Sequence, residues 1–243
     1  MISWSEAAVH VDDIQEQLQR SIELAPEFVE AWSQLAWVRS ESGIYPDRAL
    51  EAVERTEALA PGTLPAIKAR GWYQQYVEED FEGALELMRE AERLAPSDSE
   101  VLIGLARLQH RLGAFSEGTR TMKRAVQLDP KNTETLVHLS NMLMRQSRWQ
   151  AAREVLERVL AIDPSHFWAQ YQLVHLTIQG DRNPDAALGL AAEFGLEPRY
   201  LHAWIATTDR DYDRAARILA SVPVNAGNPF ARDLRRDNLS ASV

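Results

Sequence analysis

Six prolines recur along this chain at an almost constant interval. Pro26, Pro61, Pro96, Pro130, Pro164 and Pro198 are separated by 35, 35, 34, 34 and 34 residues. Five of them close a similar phrase: Leu24-Ala25-Pro26, Leu59-Ala60-Pro61, Leu94-Ala95-Pro96, Leu128-Asp129-Pro130 and Ile162-Asp163-Pro164. The sixth, Leu196-Glu197-Pro198, differs in its middle residue. A period of this size marks one supersecondary unit stacked on copies of itself, each burying an apolar face against its neighbours.

Each unit reads as two helices. Six residues after the prolines stand Trp32, Ile67, Leu102, Leu136, Gln170 and Trp204. Nine after stand Leu35, Arg70, Leu105, Leu139 and Leu173, and ten after stand Ala36, Gly71, Ala106, Ser140 and Val174. The spacing is helical, and the small residues admit a neighbouring helix closely. Twelve residues before each later proline come Ala49, Ala84, Gly118, Ala152 and Ala186; eight before come Val53, Met88, Met122, Leu156 and Leu190. These form the stripe of a second helix, which ends where proline makes continuation costly. Ser42-Gly43, Leu112-Gly113 and Gly180-Asp181 signal the turns between the two helices. Phe81, Phe115 and Trp149 precede the small residue by three and read as wedges between helices.

The pattern Ala31-Trp32-x-x-Leu35-Ala36, followed by Ala49 and Pro61, resembles the tetratricopeptide repeat. A similar pattern runs through Ala66 to Pro96, Val101 to Pro130, Thr135 to Pro164 and Ala169 to Pro198. The resemblance implies an all-α fold, a right-handed superhelical solenoid of stacked antiparallel helix pairs over residues 1–221. About five full repeats would fill 27–198, between partial units at 1–26 and 199–221. Three departures stand out: Arg70 in a leucine place, Glu193 in an apolar place, and one extra residue in the turns of the first two units. Residues 12–26 read as the second helix of an incomplete unit, whose first helix would have to fit into about ten residues. Tyr212, Ala215 and Leu219 arrive about five residues early, so the last helical pair is expected to be clipped. Residues 222–243 hold NAGNP and RRDNLSASV without a period, and are expected to be a tail or cap, disordered in part.

Composition removes several classes of function. Acidic residues outnumber basic ones by 36 to 26, a net charge of −10, which argues against nucleic-acid or anionic-membrane binding. The absence of cysteine excludes disulfides, thiolate metal sites and cysteine nucleophiles. No phosphate-cradling glycine loop, HExxH pair or nucleophile elbow occurs. The six histidines, at 10, 110, 138, 166, 175 and 202, lie mostly in different units. Binding rather than catalysis is expected, with no cofactor and no metal. The opening MISWSEAAVH carries no basic start, and nowhere do about eighteen apolar residues run together. A cytoplasmic protein without membrane insertion is therefore expected.

A helix turns about 100° per residue, so positions seven, eleven, fourteen and fifteen after each proline share a face. By the resemblance, this face lines a concave groove for partner peptides. It gathers Trp37, Lys68, Trp72, Tyr76, Arg107, His110, Arg111, Asn141, Arg145, Tyr171 and His175. Aromatic residues and arginine dominate binding energy at interfaces, and arginine forks hold carboxylates. The groove is therefore expected to take a peptide with an acidic portion near Arg107, Arg111 and Arg145, its apolar side chains resting near Trp37, Trp72 and Tyr76. The competing expectation is that the tryptophans fill space between helices and the arginines pair with carboxylates such as Glu134 or Glu100. A lysine-and-asparagine clamp known from similar arrays is not reproduced: Lys68 matches its lysine, but Trp72 stands where asparagine would follow.

Residues 1–98 hold 20 acidic and 8 basic residues, whereas residues 99–243 hold 16 and 18. That split admits head-to-tail self-association as well as a solvated surface with regional bias. The leading functional expectation is an adaptor or scaffold that binds a protein or peptide partner. The alternative is a regulatory module of a larger signalling, transcriptional or catalytic protein.

Overall fold

The computed structural model describes residues 4–42, 46–196, 198–208 and 210–220. The 222–243 segment and the turn at Gly43 lie outside these residues. Among the described residues there are thirteen α-helices and no strand. They are α1 (Trp4–Leu24), α2 (Val29–Ser42), α3 (Pro46–Leu59), α4 (Leu64–Tyr73), α5 (Phe81–Leu94), α6 (Ser99–Arg111) and α7 (Phe115–Leu128). Then follow α8 (Thr133–Arg145), α9 (Trp149–Ile162), α10 (Phe167–Gln179), α11 (Pro184–Glu193), α12 (Pro198–Thr208) and α13 (Tyr212–Ala220). Contacts gather Glu6–Met142 into one compact unit and the chain from Leu143 onward into another.

The prolines set the helix ends. Helices α2, α4, α6, α8 and α10 each begin three residues after one. In α6, α8 and α10 a side chain caps a free N–H group: Asp98 accepts from Val101 at 3.1 Å, Asn132 from Thr135 at 2.9 Å and the His166 ring from Ala169 at 3.3 Å. At the other end, the proline ring pushes its preceding residue out of the helical region. Ala95, Asp129 and Asp163 accordingly take φ/ψ of −139/75°, −132/90° and −134/96°, and α5, α7 and α9 stop just before them. In the five described reversals from α4/α5 to α12/α13 the chain turns through a left-handed residue: Glu79 (φ 56°), Gly113 (84°), Ser147 (56°), Arg182 (54°) and Arg210 (61°). Only one of these is glycine. The sequence signal at Gly180-Asp181 was therefore one residue short of the left-handed position, Arg182.

The stripes at nine and ten residues after proline form the interior: Leu35, Ala36, Leu105, Ala106, Leu139 and Val174 are all buried. At six residues, Trp32 and Gln170 perform the same task with different side chains. Each donates to the carbonyl of its own repeat's proline, Trp32 to Pro26 at 2.9 Å and Gln170 to Pro164 at 2.8 Å. Gly118 marks a close helix approach. A Cβ there would lie 2.8 Å from the Ala106 carbonyl oxygen, so α7 crosses α6 backbone against backbone.

The departures from the repeat have local explanations. The extra residue of the second unit is absorbed as a π-helical turn, Gln74–Glu78, at the end of α4 rather than in the connecting turn. Arg70, in a leucine place, grips Glu57 of α3 with two parallel bonds, Nε–Oε1 at 2.9 Å and Nη2–Oε2 at 2.6 Å. In the fifth unit the second helix is shifted by one residue. Ala187 and Ala191 are buried where Ala186 and Leu190 were expected, and Phe194 packs into the cluster in place of Glu193, which is exposed. The expected short first helix of the opening unit does not form separately: nothing between Trp4 and Leu24 breaks helix, and α1 runs unbroken over 21 residues. The clipped last pair is present as α12 and α13, of 11 and 9 residues.

Candidate functional site

The four positions assigned to one open face divide into two sets. Fourteen residues after proline, Ser40, Gln75, His110, Met144 and Ile178 are all buried. That place lies one helical turn beyond the small residue at ten, so it shares the packing stripe. His110 accordingly sits inside, with its ring edge-on to Phe115 at 4.8 Å. Positions eleven and fifteen stay at the surface except at Trp72, which is buried: Arg107 is half-buried, while Asn141, Arg111 and Arg145 are exposed.

Within the unit spanning Glu6–Met142, α2, the π-turn after α4, and α6 bring three of these side chains together. The Tyr76 hydroxyl donates to the Glu41 carboxylate at 3.1 Å, and Arg107 Nη1 lies 3.5 Å from the same oxygen. The Arg107 guanidinium also stands over the Tyr76 ring, 5.5 Å from its centroid. Burial pushes the Tyr76 phenol well above its ordinary range, so it remains a donor. His138 of α8 is close enough to feel the Arg107 charge. Burial first, and that charge second, hold its pKa down to about 4. At neutral pH the cluster is thus one arginine, one phenol, one neutral imidazole and one carboxylate.

Trp37 and Trp72 lie 5.7 Å apart with their planes tilted by 36°. Trp72 is buried against Met88, Leu105 and Leu108, whereas Trp37 stays partly open at the edge of that cluster. Lys68 is buried as well. Its ammonium pairs with Glu100 and, at 3.5 Å, with Asp98, and lies 5.2 Å from the Trp72 ring centroid. It therefore ties α4 to the start of α6. Arg111 projects outward over Phe81, with its guanidinium carbon 4.0 Å from the ring centroid.

The unit from Leu143 onward carries the same repeat positions with different chemistry. Tyr171 and His175 are parallel at 6.4 Å, and His175 lies 3.7 Å from the Trp204 ring centroid. Trp204 also stacks on Tyr171 at 5.8 Å, and Trp168 meets Tyr171 edge-on at 6.1 Å. Burial lowers the His175 pKa to about 3.

Glu41, fifteen residues after Pro26, falls at one of the four face positions, but a lone exposed glutamate in an acidic half carries no signal. Trp204 was placed on the packing stripe, and its stacking on His175 was not foreseen. The carboxylates that pair with basic residues were partly foreseen: Glu100 holds Lys68 rather than an arginine, and Glu41 rather than Glu134 or Glu100 pairs with Arg107. Among the described residues, no group of three or more His, Asp or Glu side chains is arranged to hold a metal ion. No helix among them is long and apolar enough to cross a membrane.

Comparisons with known proteins agree with this architecture. The tetratricopeptide repeat family profile matches residues 78–136 and, overlapping, 119–175. No curated protein matches the chain. Among solved structures, the fold is similar to PilW, a widely conserved type IV pilus biogenesis factor, at 19% identity and a TM-score of 0.65, covering 85% of this chain and 97% of PilW. It is similar to Pseudomonas aeruginosa PilF at 17% identity and a TM-score of 0.61, covering 86% and 97% of the two chains. YrrB, a tetratricopeptide-repeat protein with an unusual peptide-binding site, is 18% identical with a TM-score of 0.50, covering 91% of this chain and 99% of its own. At these identities the likeness is one of fold.

Proposed function

Since this chain is a tetratricopeptide-repeat protein, we propose that it is an interaction adaptor whose face over α2, the end of α4, and α6 binds a peptide with an acidic segment. The observation that carries this reading is the setting of Arg107. It is half-buried beside a phenol that stays protonated, and a carboxylate of the chain itself already rests against it. Arg111, one turn further along α6, adds an exposed cation over the Phe81 ring. Trp37 offers apolar area at the same face, while Trp72 and Lys68 support it from beneath. The similar YrrB carries a peptide-binding site, which is consistent with this use of the fold. No catalytic step is proposed.

Fluorescence anisotropy with a labelled synthetic peptide, alternating leucine with runs of glutamate, tests this directly. Arg107→Ala/Arg111→Ala should weaken binding about tenfold or more, since arginine anchors are typical hot spots. A glutamine-for-glutamate version of the peptide should bind poorly to the unaltered protein. Equal affinity for the two peptides, or for the two proteins, would remove the proposal. Arg145, Tyr171 and His175 belong to the other unit and are tested by separate substitutions.

A further inference from the structure

Resting on the reading above, we infer that Glu41 is a built-in competitor for the partner's carboxylate, so that the peptide binds by taking its place between Tyr76 and Arg107. Three features of the geometry support an exchangeable contact. Glu41 lies in the last turn of α2 and is exposed. Its bond to Arg107, at 3.5 Å, is long for a charge-assisted pair, which ordinarily closes to 2.7–2.9 Å. Exposed ion pairs of this kind contribute little to holding a fold together. The two groups left behind would be a donor hydroxyl and a guanidinium, both oriented by their own packing. Tyr76 is placed by the π-helical turn, and the Arg107 guanidinium stands over the Tyr76 ring.

The chain's other paired cation on this face shows what a non-exchangeable contact looks like. Lys68 is buried, its ammonium touches two carboxylates, and one of these, Asp98, also caps α6. Removing Glu100 and Asp98 together would strand a buried charge, whereas removing Glu41 leaves a half-exposed arginine that water can solvate. Placement of a carboxylate at Arg107 is therefore already demonstrated by the molecule, and only the source of that carboxylate changes on binding.

The test uses the full chain and the same glutamate-rich peptide. Glu41→Gln should bind it about fivefold more tightly than the unaltered protein, the net scale of one ordinary hydrogen bond released from competition. In the Glu41→Gln background, adding Tyr76→Phe should cost about threefold, because the hydroxyl then donates to the peptide. Unchanged or weaker binding by Glu41→Gln would overturn the inference, while leaving the groove reading intact if Arg107→Ala/Arg111→Ala still abolishes binding. Tighter binding by Glu41→Gln with no effect of Tyr76→Phe would show that Glu41 merely repels the peptide, and exchange would be overturned. If neither the unaltered protein nor Glu41→Gln binds, the groove reading and the inference fall together. Matching helix content and melting temperatures of the variants establish that each comparison is between folded proteins.

Discussion

The equivalent positions of two repeats carry opposite chemistries. Eleven residues after its proline, the third unit presents Arg107, which is half-buried and held by Glu41 and Tyr76. Eleven residues after its own proline, the fifth unit presents His175, stacked on Trp204 and beside Tyr171. The backbone places both side chains alike, because both helices start three residues after proline. What differs is the cost of removal. An arginine with exposed partners leaves little behind, whereas an imidazole within a stack of rings leaves a hole. Shared geometry thus leaves a half-buried cation beside a carboxylate in one unit and a stack of rings in the other.

The comparison can be broken from either side. The largest effect should come from Trp204→Ala, which should destabilise the unit from Leu143 onward by about 3 kcal/mol, within the range for deleting large aromatic side chains. Hydrogen exchange resolved by helix would localise that loss to α10–α12. A loss below the level of ordinary surface variants would mean the rings do not hold the unit together.

Acid should act next. His175 is neutral in the folded chain with a pKa of about 3, below its ordinary 6.5. The unfolded chain therefore binds the proton first as pH falls, and stability is complete above about 6.5 and declines toward 3. The slope within that window is at most about 1.4 kcal/mol per pH unit. His138 follows the same sign but a narrower window, ending near 4. His175→Phe should flatten the decline of its unit in acid melting curves, and an unaltered slope would contradict the burial of that ring.

On the charged side, Arg107→Met should lower the melting free energy by under about 1 kcal/mol, as expected for a half-exposed ion pair. A cost of several kcal/mol would make Arg107 a packing residue after all and erase the contrast. The smallest effect concerns the turn shared by all units. Ser147→Gly, at φ 56°, should stabilise by about 0.5–1 kcal/mol by relieving a left-handed side chain. A null result in thermal unfolding would mean that Ser147 already pairs its strain with other gains.

Much of the scaffold was legible because proline acts locally. It stops one helix and, three residues on, starts the next, so the six prolines located most helix boundaries without reference to tertiary contacts. Arg70 and Glu193 were legible as exceptions but not as solutions. The first is resolved by Glu57 on another helix, and the second by a one-residue slip that brings Phe194 inward. Neither partner stands at a repeating offset. The same limit applies to the site. Spacing puts Arg107, Tyr76 and Glu41 on one face, but their convergence depends on the π-helical turn, and a proline interval of 35 instead of 34 does not say where in the unit the extra residue falls. Spacing also puts position fourteen on the open face, where the structure buries every example described. Helical angle alone does not say how far a neighbouring helix wraps around the stripe.

A crystal structure of the protein with the glutamate-rich peptide bound tests the central claim most directly. A peptide carboxylate should lie within hydrogen-bond distance of both the Tyr76 hydroxyl and the Arg107 guanidinium, with Glu41 turned away into solvent. A peptide seated elsewhere, or Glu41 still on Tyr76 with no peptide carboxylate at Arg107, would contradict it.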